Sequence, residues 1–505
     1  MSRVRLVAAM AVVVMAAGAC SGGGHGSGPA QPTSAEVTTT TTAVIRPPGP
    51  AADLSQELRG GSGVFLPGGN APTGAAQAAP GYTISEYAAS GTAASYRVAG
   101  TLTPDGRWSF VPDGSASYRT RVVVRRPSDP ARFSGTVIVE WLNVSGGVDS
   151  GPEYDTMQEE ITRAGDVWVG VSAQLIGVMG GPVLVHAPTT GPDLAGKGLV
   201  TIDPARYGTL HHPGDGYSFD IFTQVARAIR EGGTPLGGLK PQRLIAAGES
   251  QSAFALVTYI DGVAPLTDAF DGYFVHSRGA SGLPLAAPGK PAGIADSLGR
   301  APAIFRTDQD TPILDAQTES DTGLLESLAA RQPDDAHFRL WEVAGTAHAD
   351  AHLLGGEASL LDCGLPVNNG PMHVVAKAAL HGLDQWMRTG TPPPSAPRFD
   401  ITTGAKPAVV RDADGIVFGG IRTPLVDVPV DVLSSFVAPN ASTICVLSGS
   451  TKPLSDARLA QLYPSRTDYL QRYNADADQA IASGYVLAAD RAALLAYAQP
   501  SRIPA

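Results

Sequence analysis

The chain has 505 residues, 43% of them hydrophobic and 16% charged, which supplies apolar material for a large core and excludes a solvated, disordered polymer. Its net charge of −11, from 36 basic and 47 acidic residues, excludes a nucleic-acid binder, which needs a basic surface to displace counterions. Gly (59) and Pro (41) are abundant enough to imply many turns and long loops, and the sequence has no collagen period, sustained heptad or second long apolar run.

The first element in chain order is an export signal over residues 1–19. Arg3 and Arg5 precede the apolar run from Leu6 to Ala17, which is too short to span a bilayer comfortably. Ala17, Gly18 and Ala19 then precede Cys20. Two readings share this cut site. Ala-x-Ala suits ordinary signal peptidase and leaves a secreted protein. A small residue before Cys20, followed by Ser21 and a Gly-rich stretch, resembles a bacterial lipoprotein signal, although Ala17 stands where Leu is usual. On that reading Cys20 carries diacylglycerol and holds the protein at the outer face of the membrane. Residues 20–60 are rich in Gly, Ser, Pro and Thr, cannot bury a core, and are expected to form a flexible tether.

A folded domain is expected over residues 61–505. Alternating stretches at 82–87, 96–102 and 118–127 predict an opening antiparallel region. Six short apolar runs follow, at 136–142, 167–172, 243–248, 272–276, 312–317 and 338–343. Their β-branched content and their spacing by helical segments predict a mostly parallel sheet covered on both faces. Apolar residues at helical spacing predict helices at 219–230, 252–260 and 372–387, with two more near 456 and 490. Residues 175–216, rich in Gly and Pro without a clear period, are expected to be an insertion that forms a lid or a wall of a binding site. Residues 360–505 read as a C-terminal extension.

The run from Arg243 to Leu256 carries the chemistry. An apolar strand enters Gly248-Glu249-Ser250-Gln251-Ser252 and a helix follows at once, which is the pattern of a nucleophile elbow. Strand and helix pack closely at such a turn, so the residues two before and two after the nucleophile must be small. Gly248 meets this need, and Ser252 stands where Gly is commoner. A serine nucleophile needs a histidine base and an orienting carboxylate. His348 follows the last apolar strand. Asp321, three residues past Thr318, is the expected acid, with Glu319 as the alternative. All of them lie at the ends of strands, where open α/β sheets gather their sites. The oxyanion donors are expected to be the backbone N–H groups of Gln251 and of Val144, the latter in the loop 143–147 with its glycine pair. His348, Asp350 and His352 offer three possible ligands in five residues, yet no further ligand is evident, so no metal and no cofactor are assigned. Cys363 and Cys445, outside the cytoplasm, read either as a disulfide closing a loop of about 80 residues or as two buried thiols.

In Ala247-Gly-Glu-Ser-Gln-Ser252, Gln317-Thr-Glu-Ser-Asp321, Ala344-Gly-Thr-Ala-His348, the segment from Val139 to Gly147 and Gly419-Gly-Ile-Arg-Thr-Pro424, the chain resembles the α/β-hydrolase superfamily. It is most similar to a bacterial group described as alpha/beta hydrolase domain-containing proteins, over about residues 80–500. The resemblance implies an α/β-hydrolase fold and a serine hydrolase acting on a small-molecule or lipid-like carboxylic ester. An acyltransferase using the same acyl-enzyme, or a surface binding protein that kept the fold without turnover, are the competing readings.

Overall fold

The computed structural model describes residues 46–68, 77–188, 192–404 and 406–504. The expected export signal, Cys20 and the expected tether as far as residue 45 lie outside the described residues. Among the described residues nine strands form one sheet. In chain order they are β1 (Asp53–Glu57), β2 (Tyr82–Val98), β3 (Phe110–Pro127), β4 (Thr136–Trp141), β5 (Val167–Val171), β6 (Arg243–Glu249), β7 (Gly272–His276), β8 (Ile313–Thr318) and β9 (Phe338–Val343). Their spatial order is β1-β2-β3-β5-β4-β6-β7-β8-β9. From β5 to β9 every neighbouring pair is parallel, and β1, β2 and β3 complete one edge with antiparallel pairs.

Two expectations need correction here. Residues 53–57, expected to belong to a flexible tether over 20–60, instead pair with β2 as the edge strand. The stretch at 82–87 and the first three residues of that at 96–102, read as separate strands, belong to one 17-residue strand that ends at Val98. The intervening residues 88–94 are mostly small and look loop-like in isolation, but they keep the two-residue alternation and pair along β3, with one irregularity between Ala94 and Tyr96.

Alternation along the parallel strands sends side chains into two cores. Val137 and Val139 of β4 face one layer, and Ile138 faces the other. The second layer is covered by α1 (Pro152–Ala164), through Tyr154, Met157 and Ile161, and by a later helix. The first layer is covered by α2 (Ser218–Glu231), whose Phe219, Phe222, Val225, Ala226 and Ile229 recur at helical spacing, and by α3 (Gln251–Thr258). That later helix is α4 (Met372–Thr389), which buries Val375, Ala379 and Leu383 beside α1. Buried Glu140 of β4 is explained by α1: its carboxylate accepts the N–H groups of Glu153 and Tyr154 at 3.0 Å each, where a helix start leaves N–H groups unsatisfied, and the Trp168 indole N–H at 2.8 Å.

The C-terminal extension has a smaller sheet of its own, β10 (Asp431–Ser434) against β11 (Ser450–Pro453), joined through α5 (Thr443–Ser448) and followed by α6 (Arg466–Ala482). Tyr463, Tyr469 and Tyr473 pack into its core. A disulfide joins Cys363 to Cys445 in α5. By chain entropy, a bridge between residues 82 positions apart stabilises a fold by about 4–5 kcal/mol. Among the described residues no helix is long and apolar enough to cross a membrane.

Candidate active site

β6 runs through the middle of the parallel region and ends at Glu249, and α3 begins at Gln251. Ser250 between them has φ 59° and ψ −119°, a strained conformation for a residue with a side chain. Its N–H donates to the His276 carbonyl at 3.0 Å, which fixes the turn against β7. A Cβ on Gly248 would lie 3.0–3.1 Å from Ser252, so the closeness of strand and helix accounts for both small residues.

The structure brings three of the expected residues together at the C-terminal ends of β6, β8 and β9. The Ser250 hydroxyl lies 2.7 Å from His348 Nε2, and His348 Nδ1 lies 2.7 Å from Asp321 Oδ1. Asp321 is fully buried, and its Oδ2 accepts the Thr318 N–H at 2.6 Å, so its carboxylate is held at both oxygens. Ser320 in the same turn accepts the His348 N–H at 2.8 Å and donates to the Leu447 carbonyl at 3.2 Å, locking the histidine loop to α5. Glu319 points elsewhere. It accepts from Arg411 at 2.6 Å, from the Ser435 N–H at 2.8 Å and from the Gly345 N–H at 3.2 Å, and so straps the histidine loop to the C-terminal extension.

The expected oxyanion donors have different fates. Gln251 is the first residue of α3, so its N–H has no carbonyl one turn earlier in the helix. Val144 is a correction. Its N–H donates to Gln251 Oε1 at 3.2 Å, and the Gln251 amide is itself held by Gln174 at 2.6 Å. The polar side chain after the nucleophile thus takes the donor that the sequence reading assigned to the oxyanion. In the same loop, Ser145 and Gly146 line the cavity instead. The loop is braced from below by Asp149, which meets the buried Arg121 guanidinium at 2.8 Å.

Two residues were not singled out as site members from sequence. Glu249, the variable residue of the elbow, is buried with Oε1 3.2 Å from His348 Nε2. Asn143 Nδ2 donates to the Glu249 carbonyl at 3.0 Å. Burial disfavours a charge on His348, but the Glu249 carboxylate, then the hydrogen bond and charge of Asp321, outweigh it and raise the imidazole to about 9. Burial raises Glu249 to about 7 against the pull of His348 and His276. His352 does not join His348; it stacks on His373 with ring centres 3.8 Å apart, and Asp350 caps the short helix after it through the Leu353 N–H. Among the described residues no group of three or more His, Cys, Asp or Glu is placed to hold a metal ion.

A cavity of about 780 Å³ opens over Ser250 and His348. Val185–Pro188 and Pro192–Ala195 of the expected insertion form part of its wall. Leu353, Leu354 and Glu357 form another part, beside Ile444 and Leu447 of α5. The Cys363–Cys445 bridge ties these last two segments together. Most of the lining is apolar; it holds the carboxyl groups of Asp155, Asp193, Glu249 and Glu357 and the imidazoles of His186 and His348.

A family model described as an alpha/beta hydrolase domain matches residues 29–496. Among solved structures, the chain is similar to an esterase from the fungus Rhizomucor miehei, at 13% identity over 60% of this chain and 86% of that one, with a TM-score of 0.30. It is similar to an a/b serine hydrolase without lid from Xanthomonas campestris, at 14% identity over 66% and 98% of the two chains, with a TM-score of 0.26. It is also similar to a carboxyl esterase of the mycorrhizal fungus Tuber melanosporum, at 11% identity over 58% and 87%, with a TM-score of 0.29. No curated protein sequence matches it.

Proposed function

The chain belongs to the alpha/beta hydrolase domain family, and we propose that it is an exported serine hydrolase that cleaves carboxylic esters through an acyl-enzyme on Ser250. The observation that carries this reading is the continuous hydrogen-bonded line from Ser250 to His348 to Asp321, with both links at 2.7 Å, at the base of the cavity. The Ser250 oxygen attacks the ester carbonyl carbon as its proton passes to His348 Nε2. Asp321 keeps the other ring proton on Nδ1 and stabilises the imidazolium that forms. Collapse of the tetrahedral intermediate returns the proton to the departing alcohol and leaves an acyl group on Ser250. Water, activated by neutral His348, then releases the acid. The Gln251 N–H, at the positive end of α3, is the donor best placed by sequence for the developing oxyanion. A fluorophosphonate probe is expected to label Ser250 and no other serine, as read by peptide mapping; an unlabelled Ser250 in folded protein rejects the mechanism.

The lining favours an uncharged ester with substantial apolar groups. A carboxylate-bearing substrate would enter a partly dehydrated space whose described lining holds four carboxyl groups against the one imidazolium of His348, and no lysine or arginine. With matched p-nitrophenyl esters of butyric and succinic acid, kcat/KM is expected to be at least about tenfold higher for the neutral ester, since one repulsive contact of about 1.4 kcal/mol gives that ratio. Equal rates, or a preference for the anion, would exclude this selectivity.

Export and anchoring are part of the proposal and rest on the sequence around Cys20. Two acyl chains on a diacylated Cys20 suffice for stable membrane attachment. Mass spectrometry of the mature N-terminus is expected to find a diacylglycerol adduct on Cys20; an unmodified Cys20 on freely secreted protein removes the anchor.

A further inference from the structure

We propose that Glu249 is a positioning residue that acts through His348 as a second carboxylate, stabilising its imidazolium form and so setting both the strength of the base and the pH at which it becomes free to act. This rests on the reading of Ser250, His348 and Asp321 as the catalytic set. His348 Nε2 has two oxygens before it, Ser250 Oγ at 2.7 Å and Glu249 Oε1 at 3.2 Å. A neutral imidazole with its proton on Nδ1, toward Asp321, would aim the Nε2 lone pair at Ser250 Oγ and leave the Glu249 oxygen 3.2 Å from the same electron-rich nitrogen with no donor. That is repulsive in a buried site unless the ring carries a positive charge. An imidazolium removes the repulsion: its Nε2–H lies along the bond to Ser250 Oγ, and its positive charge faces Glu249 Oε1, which accepts no hydrogen bond of its own. In the resting protein, one proton therefore belongs to the His348–Glu249 pair, and it must leave before Nε2 can accept the proton of Ser250.

The surroundings hold Glu249 in this role. It ends β6, and its backbone partner across the sheet is His276 of β7. His276 Nδ1 lies 3.3 Å from Glu153 of α1. Asn143 Nδ2 lies 3.4 Å from Glu249 Oε2. The charged and titratable groups acting on Glu249 are thus His348, His276, Glu153 and Asp321, and Asp350 adds to the field at His276. Burial lowers the basicity of His276, so the nearest well-placed cation for Glu249 is His348 itself. When Ser250 attacks, the positive charge develops on the ring that Glu249 already faces. The same contact therefore holds the proton at rest and favours the charge in the transition state.

The test reads His348 directly. In the full-length Ser250→Ala protein, the low-field Nδ1–H resonance of His348 is followed by proton NMR against pH. The titration is expected well above the usual histidine range, and adding Glu249→Gln is expected to bring it down by at least one unit, a tenfold change in proton affinity. Glu249→Asp, with its carboxylate drawn back, should give an intermediate shift and serves as the second variant if Glu249→Gln does not fold. In the active enzyme, Glu249→Gln should move the acid limb of kcat/KM down by a matching amount while lowering the plateau at high pH. A His348 titration unchanged by both substitutions overturns the proposal. Because the NMR measurement needs no turnover, a protein that hydrolyses no ester would defeat the functional reading and leave this result to stand or fall by itself.

Discussion

Ser250→Ala is expected to leave a folded protein whose turnover of a neutral ester has fallen by roughly four to six orders of magnitude, as removal of a triad nucleophile does in serine hydrolases generally. The substitution adds no atoms at a crowded turn. Ser250 already carries a Cβ at φ 59°, so Ala meets the same backbone strain and loses only the hydroxyl and its bond to His348. One lost hydrogen bond of this kind costs about 1 kcal/mol net, which shifts a melting temperature by a few degrees. Far-UV circular dichroism and a thermal melt will check the fold, and steady-state kinetics will check the chemistry. The residual rate should come from binding and the oxyanion donor alone. Undiminished turnover by a well-folded Ser250→Ala protein would end the case for an acyl-enzyme at this residue.

Much of this architecture was legible because its signals are local. The six apolar runs of the parallel sheet are all strands, and the amphipathic pattern at 219–230 lies within α2. The helix α1 escaped notice because its buried face is polar: Glu153, Asp155, Gln158 and Glu160 are buried alongside Tyr154 and Met157, which erases the usual apolar stripe. The long helix α6 was missed for the opposite reason, since only Tyr469, Tyr473, Ala477 and Ala480 of its 17 residues are buried. In the site, Ser250 was readable from the strand-turn-helix pattern and Asp321 was the expected acid, as its 2.7 Å contact with His348 bears out, but what removes the alternative Glu319 was not readable. The turn that points one inward and the other toward Arg411 depends on a residue 92 positions away. Nor does any local pattern announce that Ile444 and Leu447 wall the cavity, because the contact depends on how the extension folds back. Val144 failed for a similar reason: its N–H partner is the side chain of Gln251, and side-chain reach is not encoded in spacing.

Asp321→Asn is expected to lower kcat by roughly 10⁴-fold while changing stability little, and Glu319→Gln is expected to do the reverse. The geometry decides both. In Asp321→Asn, the Thr318 N–H needs an acceptor at 2.6 Å, so the amide oxygen takes the place of Oδ2 and the NH₂ group faces His348 Nδ1. A donor there forces Nδ1 to accept and moves the ring proton to Nε2, where it points at Ser250 Oγ. The histidine is then in the tautomer that cannot take the serine proton, although nothing has moved. In Glu319→Gln, three donors converge on a carboxylate: Arg411, the Ser435 N–H and the Gly345 N–H. An amide can accept at only one end, so its NH₂ meets another donor and a buried ion pair is lost, at a cost of about 2–4 kcal/mol. That loosens the strap between the histidine loop and the extension without touching the proton path. Its kcat should therefore stay within about tenfold of the unaltered enzyme at temperatures where the fold holds. Parallel measurement of kcat and melting temperature separates the two. If Glu319→Gln were the substitution that abolished turnover in a stable protein, the orienting carboxylate would be Glu319, and the 2.7 Å contact between Asp321 and His348 would be structural.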